Sequence, residues 1–511
     1  MSVELEVHET TETARKTDRR YVTAALMLVM VLASMEQTIT STAMPTIIGD
    51  LQGFEHYSWV FSIYLLALAV SMPLYGRLAD VWGRKRVILG AVLVFSIGST
   101  FASLAHSMTQ LIVFRGMQGL GAGGIMPVVL TILGDIFTLE ERASVQGLFS
   151  AIWGGAALAG PATGAFLVHT LGWRSIFFVN LPAGILGLLV LVWKYHDRQK
   201  PHSTDLDLPG ATALAICCTA TLLLVSGVVP AEHGLRIASI LAAVAVVSGW
   251  VFVRIERTAG NPIMPPALMM KRAIGPLMAG SFLLGGAFLC LDTFVPLYVQ
   301  GGRGGGVAAA AGVVTPVMLT WATSGIIAAP LVVRWGFRNT AILGSTLSTI
   351  SLLGLLICAI TDASHWTITL VLALSGCGFG PASMSYLLAA QHAVEWQQRG
   401  IITSGIQFFR TTGGAIAIGL MGMLFNFLIR DQVIALRSAG VNPATLLDPF
   451  GRSGLTDDQM HVVQNMISGG LLKVFVAMIV FAILQLLATL LMASGKSEPL
   501  TRGETLEALA A

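Results

Sequence analysis

Long apolar runs separated by short polar segments dominate the pattern of the chain. About fourteen runs approach or exceed the roughly 20 residues that a helix needs to cross a ~30 Å hydrocarbon layer. They lie near residues 21–44, 57–76, 86–105, 109–137, 142–168, 175–195, 208–229, 236–256, 275–299, 309–333, 339–360, 366–392, 399–428 and 470–493. Backbone polar groups cannot stay unpaired in lipid, so we expect helices rather than strands. The pattern predicts an all-α polytopic membrane protein.

Composition agrees with a lipid-covered surface. Only 11% of the 511 residues are charged and 55% are hydrophobic, whereas soluble domains carry about 25% charged residues. The net charge of +3 is too small to suggest a nucleic-acid partner. The partners we expect are therefore the lipid bilayer and a small lipophilic substrate.

The distribution of basic residues predicts the orientation of the chain. If the N-terminus is cytoplasmic and the runs alternate, cytoplasmic segments hold 21 of the 30 Lys and Arg residues and external segments hold 7. The positive-inside rule then places both termini in the cytoplasm. We expect a multi-pass protein of the bacterial cytoplasmic (inner) membrane.

Two polar breaks suggest two halves with an insertion between them. A short echo supports this division, because Trp82-Gly83-Arg84 resembles Trp335-Gly336-Phe337-Arg338 in the later half. Many secondary transporters are built from such repeats. The predicted parts are a tail (1–20), an N-terminal six-helix bundle (21–195), linkers with an inserted helix pair (196–272), a C-terminal six-helix bundle (273–495) with an external loop (429–469), and a second tail (496–511).

A motif follows the second run, from Gly76 to Arg86 (GRLADVWGRKR). We expect its glycines, Gly76 and Gly83, to permit a tight turn. Asp80 is placed to accept hydrogen bonds at a helix end and to pair with basic residues such as Arg84. The motif resembles the signature loop of the major facilitator superfamily, and this resemblance implies a latch at a cytoplasmic gate. In the later half, Val333 stands at the position that corresponds to Asp80, so a second latch of equal strength is not expected.

Five further motifs resemble the fourteen-helix drug:proton antiporters of the EmrB/QacA type. They are MEQTITSTAMP (35–45), LIVFRGMQGLGAG (111–123), GPATG (160–164), WRSIFFVNLP (173–182) and QFFRTTGG (407–414). The first carries Glu36 where the branch usually has Asp. The third supplies Gly160, Pro161 and Gly164, and its resemblance to the antiporter motif of the drug exporters implies a kinked, closely packed helix. The resemblance implies two six-helix bundles that alternate access to a central site.

Charged residues inside apolar runs are candidate coupling groups. A charge at mid-bilayer costs about 2.5–3.5 kcal/mol on insertion scales and usually faces an interior cavity. The two acids well inside such runs are Glu36 and Asp292, and Arg115 is the natural partner for a buried carboxylate. We expect these three residues to handle protons, with a purely structural ion pair as the alternative.

Candidate cavity residues combine polar and aromatic side chains, which suit lipophilic cations. They are Tyr64, Gln118, Trp153, Gln407, Phe408 and Arg410. Ordinary helix packing is the competing interpretation. We find no Gly-x-x-x-x-Gly-Lys-Ser/Thr run and no metal-ligand spacing, so we expect no cofactor, with protons as the coupling ion.

These features together predict a proton-coupled antiporter that exports lipophilic, cationic drugs or toxic compounds and so confers antibiotic resistance. The alternative on the same fold is a dedicated exporter of a lipid, a siderophore or another metabolite. An intramembrane enzyme would need a nucleophile–base or metal constellation, which we do not find, and a non-transporting sensor is a third possibility. The sequence leaves open the substrate, the proton stoichiometry and any periplasmic adaptor.

Overall fold

The computed structural model describes residues 18–51, 57–197, 207–225, 234–260, 262–305, 307–395, 398–438 and 456–493. Over these residues the chain is helical and contains no strand. The helices are α1 (Arg19–Leu51), α2 (Tyr57–Trp82), α3 (Arg84–Ser103), α4 (Met108–Ile136), α5 (Leu139–Leu171), α6 (Ser175–Phe178), α7 (Asn180–Lys194), α8 (Leu208–Val225), α9 (Gly234–Thr258), α10 (Pro266–Met269), α11 (Gly275–Leu297), α12 (Val307–Ile360), α13 (His365–His392), α14 (Arg399–Ser438) and α15 (Asp457–Leu490). A π-helical turn, Tyr298–Gly302, continues α11.

Within the described residues, ten helices are long and apolar enough to cross a membrane. Two further apolar helices, Pro209–Val225 and Gly312–Ala328, are shorter. Large apolar side chains such as Trp193, Val246 and Phe427 are exposed on the outside of the bundle, as a lipid-facing surface requires. The all-α membrane fold is thus confirmed, while the count of fourteen spans stays a prediction.

The two halves repeat the same turn between consecutive helices. Gly83 joins α2 to α3 with φ 88° and ψ 146°. Gly336 interrupts α12 with φ 80° and ψ 167°, so α12 is two helices joined at this residue. A side chain at positive φ is strained, which explains the glycine at both places. The sequence echo around these residues therefore marks a structural repeat.

A second repeat lies on α4. A Cβ added at Gly119 would lie 2.4 Å from the carbonyl oxygen of Tyr64 on α2, and one at Gly121 would lie 2.3 Å from the backbone nitrogen of Phe95 on α3. Gly123 again meets α2. Alternating glycines therefore let α4 touch both neighbours at backbone distance.

The same spacing recurs on α13. Gly376 and Gly380 face the first part of α12, and Gly378 faces the second part, where an added Cβ would lie 2.5 Å from the carbonyl oxygen of Gly344. We missed this Gly-x-Gly-x-Gly correspondence in the sequence. In the first half α4 packs against α2 and α3, and in the second half α13 packs in the same way against the two parts of α12. The two halves therefore share one packing arrangement.

Two helix boundaries that we predicted from the sequence were wrong. The Gly76–Arg86 motif is not a loop, because α2 continues through Asp80 to Trp82 and only Gly83 leaves the helical conformation. Ala79 and Val81 are buried, so packing favours this extra helical turn.

The external loop predicted at 429–469 is helical at both ends. The helix α14 continues to Ser438, and α15 begins at Asp457. A capping box between Thr456 and Gln459 fixes the second boundary. The helices thus extend beyond the apolar runs from which we had placed their ends.

We predict that Gly121→Ala destabilises the fold, because the new methyl group must displace backbone atoms of α3. Overpacking of this kind costs about 1–3 kcal/mol, so purified Gly121→Ala should unfold several degrees below the unsubstituted protein. The matched control is Gly90→Ala on α3, where an added Cβ meets no atom within 4 Å. Equal thermal unfolding of the two variants would contradict the backbone contact.

Candidate functional site

A fully enclosed ion pair joins α1 to α4. Arg115 Nη1 lies 2.6 Å from Glu36 Oε1, and the two side chains are 0% and 2% exposed. The structure thus brings together the acid and the cation that we paired from the sequence. Since water cannot reach either charge, each depends on the other for compensation.

Neutral side chains complete the coordination of Glu36. Asn180 Nδ2 on α7 donates to Glu36 Oε2 at 2.7 Å, and Thr40 donates to Oε1 at 3.1 Å. Asn180 also donates to Ser99 Oγ, which donates to the carbonyl oxygen of Phe177. Asn180 lies in a motif that we singled out, but nothing in its spacing showed that it would meet Glu36. The carboxylate is thereby fixed by three helices.

Two residues that we expected in the cavity belong to this network instead. Gln118 Oε1 accepts from Arg115 Nη1 at 2.7 Å, and the Arg115 guanidinium lies 4.2 Å from the centroid of the Tyr64 ring. Both side chains are at most 1% exposed. They face inward because the buried guanidinium needs an acceptor and an aromatic face.

A cavity of about 220 Å³ lies between the two halves. Five methionines from several helices lie in its wall, namely Met30, Met72, Met126, Met318 and Met384. On the other side, Phe288 packs edge-on against Trp321, with ring centroids 4.4 Å apart. Flexible thioethers and aromatic rings make this surface adaptable and apolar. The sequence did not reveal these aromatic residues, because they look like ordinary apolar positions.

The guanidinium and the amide side chain of the described cavity wall both come from α14. Gln407 and Arg410 line the cavity, as we expected. Phe408 is buried beside Phe409 and does not line it, since it lies on another face of α14. The side chains of Trp153 and Pro161 lie outside the described part of the structure.

Asp292 lies on α11, about one turn beyond the cavity-lining residues Phe288 and Leu289. Its side chain is partly buried, and it is not among the described residues that line the cavity. No ion pair or hydrogen bond of its side chain is found among the described residues. Its predicted part in proton handling therefore stays a prediction.

The α2 motif holds the start of α14. Asp80 Oδ1 accepts from the N–H of Gly400 at 3.0 Å, and Oδ2 accepts from the N–H of Ile401 at 2.8 Å. A carboxylate at a helix N-terminus satisfies free N–H groups and the helix dipole together. The contact crosses between the two halves. We call it, with the ion pairs beside it, the latch, and the end of the bundle that carries it the latch end.

Ion pairs between arginines and carboxylates lie beside Asp80. Arg84 Nη2 lies 3.7 Å from Asp80 Oδ1, and Arg84 Nε lies 2.5 Å from Asp135 Oδ2 on α4. Arg399 of the later half reaches 3.8 Å from Asp135 Oδ1 and donates to the carbonyl oxygen of Gly134. Two acids of one half thus hold the first turn of a helix in the other.

Gly76 does not form the turn that we expected, but allows close approach of α2 and α14. A Cβ at Gly76 would lie 1.9 Å from Ser404 Oγ, and one at Gly400 would lie 2.6 Å from the carbonyl oxygen of Gly76. These glycines let α2 and α14 approach closely enough for Asp80 to reach the α14 N–H groups.

The remaining motif residues lie on or near the same helices. Arg86 is exposed on α3, so its charge is free to interact with solvent or lipid headgroups. Gly160 and Gly164 are buried on α5, which packs against α1 and α12. Arg338 of the later half donates to the carbonyl oxygen of Leu490 within its own half. The latch contacts the other half of the protein, whereas Arg338 of the Gly336 motif contacts its own half.

The comparisons with known proteins agree with this architecture. The family model described as Major Facilitator Superfamily matches residues 26–418. The multidrug transporter protein MdtP of Bacillus subtilis (strain 168) is 32% identical, over 82% of this chain and 78% of that protein. Multidrug resistance protein 3 of the same organism is 28% identical, over 97% of this chain and 98% of that protein.

Solved structures support the fold alone. The human organic anion transporter MFSD10 aligns with a TM-score of 0.57 at 14% identity, over 91% of this chain and 100% of that one. The proton:xylose symporter XylE aligns with a TM-score of 0.57 at 15% identity, over 96% and 98%. The chain belongs to the Major Facilitator Superfamily, and it is a multi-pass membrane transporter rather than an enzyme.

Proposed function

We propose that the protein is a proton-coupled antiporter that exports lipophilic compounds by alternating access between its two halves. The relatives named as multidrug transporters support efflux of such compounds. The cavity supports it as well, because methionine and aromatic walls bind varied apolar shapes. A cationic cargo, which we expected from the sequence, finds no acidic side chain among the described residues of this wall.

The observation that carries the proposal is the enclosed Glu36–Arg115 pair. Glu36 lies two residues from Ser34 of the cavity wall on α1, and Arg115 lies seven residues, or about two turns, from Ala122 on α4. A proton on Glu36 would leave Arg115 as an uncompensated buried charge, which is strongly unfavourable. The helices α1, α4 and α7 would then favour a different arrangement, and this gives a proton a means of changing the conformation.

The latch supplies the second state-dependent contact. In this structure it joins the halves at the latch end, which the distribution of basic residues predicts to be cytoplasmic. Opening of that end requires Asp80 to leave the N-terminus of α14. We propose that substrate enters there and leaves at the opposite end, towards the outside of a bacterial inner membrane.

The first test concerns the energy source. Export in cells or inverted vesicles should stop when an uncoupler collapses the proton gradient while ATP remains constant. Uphill export that continues under those conditions would rule out proton drive. Fluorescence of an exported dye, measured together with ATP, gives both readouts.

The second test concerns Glu36. We expect Glu36→Gln to abolish proton-coupled flux, by roughly a hundredfold or more, because the amide preserves shape but cannot titrate. Glu36→Asp should keep partial flux. The measurement is substrate-induced proton release from detergent-purified protein, with thermal unfolding as the check of folding.

The matched control for Glu36 is Asp431→Asn, which makes the same chemical change at an exposed position of α14. It should release protons as the unsubstituted protein does. Unchanged release from Glu36→Gln would move the proton site to Asp292 or elsewhere.

The third test concerns the latch. Asp80→Asn loses charge-assisted hydrogen bonds that are worth about 1.5–3 kcal/mol, so the closed latch end should become at least roughly tenfold less populated. We expect slower transport at normal membrane abundance. Alkylation of a cysteine introduced at Ser404 should become faster, in a background without native cysteines.

Asp458→Asn, at an exposed position of α15, serves as the latch control. If Asp80→Asn transports and labels at the same rates as this control, the motif acts only as a membrane anchor.

A further inference from the structure

The charge of the cavity wall does not suit the cationic cargo that the sequence suggested. Among the described residues that line the cavity, Arg410 is the only charged one. The polar remainder consists of neutral groups, which are Ser34, Ser281, Ser383, Gln407 and Thr411, together with the hydroxyl-bearing Tyr386. We propose that this cavity binds lipophilic anions, through an acidic headgroup placed at Arg410 and an apolar body held by the methionine and aromatic wall. The inference rests on the proposed transport function, because it names the cargo of that same cavity.

Arg410 is unlike the other arginines buried in the membrane part of the chain. Arg115 pairs with Glu36, and Arg84 pairs with Asp135. No hydrogen bond, ion pair or ring contact engages the Arg410 side chain in the described structure. Its five N–H donors are therefore available to a ligand.

The position of Arg410 makes an unpaired charge costly. It lies eleven residues into α14, or about 16 Å from the latch end at 1.5 Å per residue. That depth is near the middle of a ~30 Å hydrocarbon layer. A cation held there without a partner is expensive, and such residues mark substrate or ion pathways. An anion in the cavity would supply the missing compensation.

The packing of α14 explains why Arg410 faces the cavity. A Cβ at Gly285 would lie 1.9 Å from the carbonyl oxygen of Arg410, and one at Gly413 would lie 2.1 Å from that of Phe282. The backbones of α11 and α14 therefore touch on that side, which leaves the Arg410 side chain to project between the halves. The motif QFFRTTGG thus contains both the cation and a glycine that positions it.

A second unsatisfied group lies one turn away from the cation. Gln407 lines the same cavity, and its buried Oε1 atom has no hydrogen-bond partner among the described residues. An acceptor beside a cation suits a headgroup that offers both an anionic oxygen and an O–H or N–H donor. The aromatic faces of Phe288 and Trp321 lie on the same wall for the apolar body.

Two hydrophobic ions of nearly equal size and opposite charge test the proposal. Tetraphenylborate and tetraphenylphosphonium differ chiefly in sign, so their affinities report the charge of the cavity. We expect purified protein in nanodiscs of neutral lipid to bind the borate about tenfold more tightly than the phosphonium, because a nearby unit charge in a medium of intermediate dielectric has at least this effect. Equilibrium dialysis against protein-free nanodiscs separates this binding from partition into lipid. Equal affinities, or a preference for the phosphonium, would overturn the proposal without any variant.

Variants then assign the preference to Arg410. Arg410→Gln should bring the affinity ratio close to one, and Arg410→Lys should keep a preference for the borate. The control is Arg430→Gln, which removes an exposed positive charge from the same helix and should leave the ratio unchanged. A ratio that survives in folded Arg410→Gln, or that changes equally in Arg430→Gln, would contradict the assignment.

Binding of these probes does not depend on a proton gradient. A cavity that prefers the phosphonium in a protein whose export stops with an uncoupler would overturn the anion site and leave the proposed antiport intact. A preference for the borate in a protein whose export ignores the uncoupler would overturn the proposed antiport and leave the anion site intact.

Discussion

Compensation of buried charge is the constraint on which the arrangement of the helices depends. Lipid offers no solvation to a charged group, so a buried arginine must meet an acid or face a cavity. Arg115 ties α4 to α1 through Glu36, and Arg84 ties α3 to α4 through Asp135. Asp80 completes the set by satisfying the first N–H groups of α14. Arg410 is the exception that faces the space between the halves.

Glycines decide how closely these charges can approach. Asp80 reaches α14 only because Gly76 and Gly400 bring two helix backbones into contact. Repeated glycines on α4 and α13 impose the same spacing within each half, and the positive φ angles of Gly83 and Gly336 repeat the turn between helices. Each half is thus tightly packed by backbone contact. The halves also pack against each other, through α5 with α12 and through α2 with α14. The hydrogen bonds and ion pairs of the latch add polar contacts between them at one end.

The sequence predicted local features such as the helices, but it did not show which side chains meet in the folded protein. Apolar length gave the helices, and the scarcity of intramembrane charge led to the pairing of Glu36 with Arg115. Helix ends at the Asp80 motif and at 429–469 were wrong, because helices extend beyond their apolar runs where packing or a cap supports them. Tyr64 and Gln118 were assigned to the cavity because side-chain type does not show which neighbour a helix face meets. Phe288 and Trp321 were missed for the same reason, since an apolar residue on a cavity wall looks the same in sequence as one in the core.

The signs of the two buried sites limit how protons and cargo can be coupled. With Glu36 ionised, the Glu36–Arg115 pair is neutral, and a proton on Glu36 would give that site a net positive charge. A cationic cargo in the nearby cavity would be repelled by this charge, so proton and cation would compete directly. An anionic cargo at Arg410 would instead be attracted, and direct electrostatics would favour joint occupancy. Antiport of an anion therefore requires that the two ligands favour different arrangements of the halves, with Asp80 and α14 as the element whose two states both must bias. In that case the exchange depends on the conformational equilibrium at the latch rather than on repulsion inside the cavity.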